Sequence, residues 1–584
     1  MATSLHDAFE EYNVTLDSAL VSACTSLCGN FGLDPGRLAA EWEAFAMGKR
    51  TMDIEALGEF SAKLSKLKRS VPTSRPQFQT KGGFPLAVTK DTLHQVDARK
   101  RPREGDGAAF GTPAAAASRS GAAAQASSPL TTGPSAHYVE RKEPGRVESA
   151  LNAELGIRAD VDVIEVDVSE WKAAQGIGRH MWERLEDKAL ALDRRTHALG
   201  LEICASAGID EPVNVLRPSV EEITAVGRII CDSEGKINPQ SVFLETTRAS
   251  SAGVRIKLEL ADVPDFVIFR GQVIVVRGTN SRGNAISVRE VFTAAPRPPP
   301  SPATDGARVL VASGPYTTDD SLTYEPMRDL LAAASRHTAH AILLLGPFVD
   351  DAHPSVRDGL LPGYTYEQFF RSKVLGMLHE WLAAQRKNGR TPPTIILAPS
   401  PSDMHAHPTF PQGPLDTRGS RSLADPSLIS VRNPATFSIG GYVFALSTTD
   451  SIKTLSAEEC ARVSLPPSQR EDRLARLCRQ VVEQRIFLPV YPPPKDVAVD
   501  TVLSLDVGAL PVTPHILIFS SELNKFAKVA SGVVCVNPGK LVKHMTGGSY
   551  ALLQIHPKGD ASDPSKVELA NSIAARTCVQ LIRI

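Results

Sequence analysis

The sequence contains no apolar run near the ~20 residues that a membrane-spanning helix needs, and no CxxC pair of the kind that holds structural zinc. It has neither a GxxxxGK[ST] phosphate loop nor a GxSxG nucleophile elbow, so the usual phosphate-cradling and serine-hydrolase routes are missing. An excess of one charge is missing too. Lys+Arg number 64 and Asp+Glu 65, a formal net charge of −1, so no global field draws the chain to nucleic acid or to an anionic membrane. The opening stretch "MATSLHDAFEEYNVTL" carries acids early and has no basic-then-apolar order, so no signal peptide is expected. The eight cysteines, at 24, 28, 204, 231, 460, 478, 535 and 578, are scattered, and only Cys24 and Cys28 are close, at helical spacing. They are expected to be buried, reduced thiols of a cytosolic or nuclear protein rather than a disulfide framework.

What is present reads as several domains, since 584 residues exceed one ordinary core. Residues 1–75 mix apolar positions at three- and four-residue spacing with charges, which predicts a small helical domain; Asp34-Pro35 is a helix cap with proline at the first helical position. From 76 to 155 the composition collapses into Ala, Ser, Gly and Pro, too little apolar surface to order a chain, so a flexible tether is expected. It carries "ARKRPRE", Ala98 to Glu104, which suits a nuclear-import receptor, and Thr112-Pro113 and Ser128-Pro129, which a proline-directed kinase could reach.

Residues 156–300 begin with a charged amphipathic helix, Gly178 to Gly200, with Trp182, Leu185, Ala189 and Leu192 along one side. After Pro218 the period changes to two: "ITAVGRIICD", "SVFLETT", "VRIKLEL", "FVIFRGQVIVVRGTN" and "AISVREVF" predict a small barrel, the OB-fold being the common solution. From Glu221 to Phe292 nine Lys/Arg meet nine Asp/Glu, and Phe243, Phe266, Phe269 and Phe292 sit in apolar context. A single-strand binder would stack bases on aromatics above a basic groove; a barrel packed against a neighbour accounts better for this neutral segment.

The segment 301–584 opens with continuous apolar runs, "VLVAS", "AILLLG" and "TIILAPS", separated by helices over Tyr324–His337 and Tyr366–Asn388. Strands covered on both faces and joined by helical crossovers form a parallel sheet. Later strands with little helix between them extend this to an α/β sandwich of two sheets. The carboxyl ends of such strands are the default active-site edge. A metal-dependent phosphoesterase places Asp-x-His, Gly-Asp, Gly-Asn-His and paired histidines there, holding two metals that activate water. This chain has Ser313-Gly314-Pro315, Gly346-Pro347, Pro399-Ser400-Pro401-Ser402 and Ser520-Ser521 instead. Asp350, Asp351 and His353 after the second strand, and Asp403, His405 and His407 after the third, are the candidate displaced ligands of a rival, catalytic reading; a structural role is the expectation for each. No catalytic residue, metal ligand or cofactor is assigned.

The stretches "VASGPYTTDDSLTYEPMRDLL", "ILLLGPFVDDAHP" and "VGRIICDSEGKIN" resemble the B subunits of DNA polymerase alpha, and "DMHAHPTFPQGP" and "VVCVNPGKL" resemble further parts of that family. The likeness is strong over roughly 175–584 and looser before it. It implies an OB-fold joined to a calcineurin-like phosphoesterase domain that has lost its metal ligands and its catalysis. It also implies a nuclear, non-enzymatic scaffold that docks on the C-terminal domain of the polymerase's catalytic subunit. Primase would be held nearby, the N-terminal domain would recruit other replication factors, DNA would be touched mainly indirectly, and no membrane would be involved.

Overall fold

The computed structural model describes, with short gaps, residues 16–46, 133–157, 168–170, 179–558 and 572–584, together with a few positions at 5–9 and 56–61. "ARKRPRE", Thr112-Pro113 and Ser128-Pro129 lie outside the described residues. Near the N-terminus, helices Ser18–Phe31 and Pro35–Ala46 follow the expected pattern. Asp34 caps the second through its Oδ1, which accepts from the Arg37 amide at 3.1 Å, and proline takes the first helical position where no donor is needed. Cys24 and Cys28 are buried on the first helix, and Trp42, Phe45 and Phe60 form an aromatic cluster with centroids 5.3–5.6 Å apart.

Five strands close the barrel: Ser219–Cys231, Val242–Glu245, Arg255–Glu259, Ala285–Phe292 and Val273–Asn280, in that neighbour order. Arg255–Glu259 and Ala285–Phe292 pair in parallel and the other neighbours antiparallel, which is the closure of an OB-fold. Alternation puts Ile223, Ala225, Ile229, Leu244, Ile256, Leu258, Ile274 and Val276 inside. The stretch expected as one strand, "FVIFRGQVIVVRGTN", divides. Phe266–Ile268 leaves the barrel to pair antiparallel with Cys460–Arg462, and only Val273–Asn280 stays in it.

The helix before the barrel runs Leu185–Ala207 and lays Leu199, Ile203 and Cys204 on Val226, Val273 and Val275. The apolar side expected from Trp182 and Leu185 is displaced: Trp182 is 71% exposed and Leu185 86%, because the chain enters the helix only at Leu185 and its buried stripe starts at Leu192.

The remaining strands build a two-sheet sandwich. One sheet has seven strands, centred on Ala307–Ser313, Ala341–Leu345 and Thr394–Ala398, which run parallel; the other has six, centred on Tyr442–Ser447, Ile516–Phe519 and Val533–Asn537. Val309, Val311, Leu343 and Ile396 face Phe444, Leu446, Ile516, Ile518 and Val534 in the layer between them. Helix Glu325–Arg336 buries Met327, Leu330, Leu331 and Ala334 on the outer face of the larger sheet, as their spacing predicts. The second expected helix holds its face too, but Phe370–Leu375 is a π turn between helical Tyr366–Phe369 and Gly376–Lys387. Helices Ser451–Glu458 and Arg473–Gln484 cover the smaller sheet with Ile452, Leu455, Leu477, Val481 and Val482, where little helix was expected.

The barrel is seated firmly on the sandwich. Arg270 makes a two-pronged pair with Glu458, at 2.7 and 2.6 Å. The Gln484 side-chain amide exchanges both hydrogen bonds with the Val273 backbone, and Phe269 is buried among Leu477, Val481 and Phe519 of the sandwich.

Of the segment 76–155 expected as tether, residues 135–155 are built into the fold. Val147–Leu151 adds an edge strand to the larger sheet, antiparallel to Thr577–Arg583. Just before it, Tyr138 is buried in the core, donates to Asp329 Oδ2 at 3.0 Å and lies under the Arg141 guanidinium, 4.0 Å from its ring centre. Composition missed this because a strand that borrows its partner from the C-terminus needs no apolar richness of its own. Helix Pro35–Ala46 packs against helix Ser451–Glu458, so removing residues 1–130 is expected to lower the unfolding midpoint of the remaining fold slightly. Removal through 155 is expected to cost about 2–3 kcal/mol by uncovering the last strand and emptying the Tyr138 site; paired thermal melts check this.

Candidate functional site

Strand direction brings the four loops singled out in the sequence to one edge of the sandwich. Parallel pairing in register aligns Ser313 with Leu345 and Leu345 with Ala398, so the segments after them emerge side by side. At this edge the loops bond to one another. The Gly314 amide donates to Leu345 O and the Gly346 amide to Ala398 O, both at 2.8 Å. Ser313 Oγ lies 2.6 Å from Ser520 Oγ, and the Leu541 amide donates to Ser313 O.

The two glycines are required by closeness. A Cβ on Gly314 would lie 2.1 Å from Pro347 O, and one on Gly346 would lie 2.2 Å from Asp403 Oδ2 and 2.8 Å from the Ser400 amide nitrogen. Both following peptide bonds, Gly314-Pro315 and Gly346-Pro347, are cis. Tyr316, next in the chain, is fully buried. Its hydroxyl lies 2.9 Å from Leu345 O and 3.1 Å from Ala312 O, and its ring stacks on Phe348 at 5.3 Å. The Tyr324 hydroxyl donates to Phe348 O.

Asp350 and Asp403 are β-bridge partners, but the six candidate ligands do not come together as a set. Asp403 is buried and staples the second loop to the third: Oδ1 accepts from the amides of Phe348 and Val349, and Oδ2 from Ser400 at 2.9 Å. Burial pushes its pKa up to about 7, against the pull of those three donors. His353 Nδ1 accepts from the Ser355 amide and caps the short helix Pro354–Arg357, while its Nε2 faces Thr318 O at 3.0 Å. Burial lowers its pKa.

His405 stacks flat on Phe370, 4.0 Å between centroids and 17° between planes. Its nearest carboxylate oxygen, on Asp403, is 3.7 Å away, too far for a hydrogen bond. Neither ring nitrogen has a hydrogen-bond partner among the described residues, and burial takes the pKa down to about 4. His407 is exposed and lies in the other direction, beside His180. Asp350 accepts from the Ala352 amide, and burial raises both its pKa and that of Asp351.

Among the described residues no group of three or more His, Cys, Asp or Glu is placed to hold a metal ion. Lys540 stands at this edge, with its Nζ 3.6 Å from Glu522, and its charge pulls the Asp350 pKa down against burial. Sequence reasoning missed Tyr316, Tyr324, Lys540 and two buried asparagines. Asn433 joins Gln412 to Thr448, and Asn537 bonds five backbone groups between Ser521 and Gly539. The tyrosine directly after the first Gly-Pro was the only local signal.

On the barrel, Phe266 and Phe269 are buried, and Phe292 is half-buried beneath Arg277, 5.1 Å from its ring centre. This is the packing role expected of them.

Comparison with known proteins adds to this geometry. Residues 309–528 match the family model that describes the B subunits of DNA polymerases alpha and epsilon. Residues 190–294 match the model of the OB domain of the DNA polymerase alpha B subunit, and residues 3–66 that of its N-terminal region. The chain is 32% identical over 447 residues to the DNA polymerase alpha B subunit of Mus musculus, covering 75% of this chain and 72% of that one. It is 29% identical over 474 residues to the Schizosaccharomyces pombe protein of the same name, covering 76% and 79%. The same name belongs to a Saccharomyces cerevisiae relative, 29% identical over 392 residues, with 58% and 54% covered.

Proposed function

The chain belongs to the family of DNA polymerase alpha B subunits, and on that premise we propose that it is the non-catalytic scaffold of the polymerase alpha–primase assembly. In this role it grips the C-terminal domain of the catalytic subunit and keeps primase close while primers are made at initiation. The observation that carries the reading is the use made of the strand-end loops. At the edge where a phosphoesterase-like domain would hold two metals, glycines are pressed against neighbouring backbone and a carboxylate is spent on three amides. Such an edge is rigid and filled, suited to presenting a surface and unsuited to admitting substrate.

The remaining parts follow the same division of labour. The N-terminal helices recruit other replication factors. DNA is met mainly through the other subunits, in the nucleus.

The test is co-purification of the full chain with the C-terminal region of the catalytic subunit, beside metal analysis and a phosphodiesterase assay. A stable complex, no stoichiometric manganese, zinc or iron, and no turnover are expected. Removal of residues 1–130 should leave the complex intact. Phosphodiester turnover that disappears in His405→Ala would overturn the reading in favour of a true phosphoesterase. Single-strand binding by the isolated chain that falls steeply with salt would favour a direct DNA reader.

A further inference from the structure

We propose that the seam between the barrel and the sandwich contains a binding site for one small monovalent anion of the halide class, held between Arg195 and Arg228. Helix Leu185–Ala207 carries Arg195 into the seam, the first barrel strand presents Arg228 to it, and Tyr491 of the sandwich closes it. These side chains, with Thr196, Thr501 and Ser504 and a larger apolar share that includes Leu192, Leu488 and Val490, line a cavity of about 20 Å³.

The charges around that cavity do not balance. Arg195 donates to a neutral acceptor, the Gln484 carbonyl, at 2.6 Å. The neighbouring charges that act on it, those of Arg485 and Arg228, both repel; together with burial, the larger effect, they push its pKa down to about 10. Arg228 lies over the Tyr491 ring at 4.7 Å and pairs through Nη2 with Glu245, while its buried Nη1 has no partner among the described residues. The nearby carboxylates are already shared, Glu245 between Arg228 and Arg255, and Glu202 between Arg297 and Arg485. Five guanidinium groups therefore draw on two carboxylates, and Arg195 is the one without a share.

A mostly enclosed cation without a counter-charge is costly, and a counter-ion that also satisfies the stranded Arg228 N–H removes two penalties together. The cavity is small, about 20 Å³, which suits a compact ion such as chloride rather than an extended organic anion. Arg195 stays partly exposed, which leaves a route from solvent. The bound ion would lock the barrel on the sandwich by neutralising their shared seam.

The experiment is thermal unfolding of the full chain at constant ionic strength, with chloride titrated against gluconate, which is too large for the cavity. Chloride is expected to raise the midpoint by a few degrees and to saturate, as ligand linkage requires. Arg195→Met, which keeps the apolar stem, should abolish the rise. No chloride-specific rise, or an equal rise in both proteins, would refute the site. If the variant does not fold, crystals grown in bromide decide. An anomalous peak between the Arg195 and Arg228 guanidinium groups is expected, and an empty cavity, or bromide bound only elsewhere, rules the site out.

Discussion

Asp403→Ala, unfolded by denaturant at pH 8, is expected to lose about 3–5 kcal/mol, since hydrogen bonds to a charged acceptor contribute about 1.5–3 kcal/mol each and buried amides left unpaired add a penalty. Three amides, those of Phe348, Val349 and Ser400, would lose their acceptor together. Asp403→Asn should fall between Asp403→Ala and the parent. One amide oxygen can still serve Phe348 and Val349, but the NH₂ group then meets the Ser400 N–H, donor against donor. Gly346→Ala should cost a comparable amount by another route, because its Cβ would be driven into the same carboxylate. If Asp403→Ala were as stable as the parent, the carboxylate would not be a staple, and its claim as a displaced metal ligand would return.

His405→Phe is expected to have the opposite sign in acid. The imidazole is buried and neutral, with its pKa taken down to about 4 from an ordinary 6.5. The unfolded chain therefore binds a proton between these values that the folded chain refuses. Stability should fall as pH drops from about 6.5 towards 4, and the full linkage is about 3 kcal/mol at ~1.4 kcal/mol per pKa unit. Phenylalanine keeps the stack on Phe370 and has no ring nitrogen to protonate. At pH 5 the variant should gain about 2 kcal/mol on the parent relative to their difference at pH 8. Parallel stability curves for the two proteins across this range would show that His405 does not refuse the proton, and its assignment as a buried packing residue would fall.

Much of the fold was legible because it rests on local patterning. Continuous apolar runs such as "AILLL" mark strands covered on both faces, and the spacing of Met327, Leu330, Leu331 and Ala334 marks a helix on a sheet. The same logic failed wherever the partner was distant in sequence. Val147–Leu151 looked like tether because its partner strand lies more than 400 residues away. Phe266–Ile268 read as part of a barrel strand, yet it bonds to a segment near 461. Trp182 and Leu185 fit the helical period and still lie in solvent, because period says nothing of where a helix begins to touch its sheet.

The candidate site divides in the same way. The sequence alone determined what the strand ends lack, since proline has no donor atom for a metal and Ser313, Ser400 and Ser520 are weak substitutes for Asp and His. It also determined that the formal net charge is only −1, so no global field draws nucleic acid to the whole surface. Only the tertiary structure decided what Asp350, Asp403, His353, His405 and His407 do instead. Side chains that are two residues apart, such as His405 and His407, turn to different surroundings, one against Phe370 and the other towards His180. Ligand geometry depends on where several loops converge, and loop direction is set by long-range packing, which spacing along the chain does not encode.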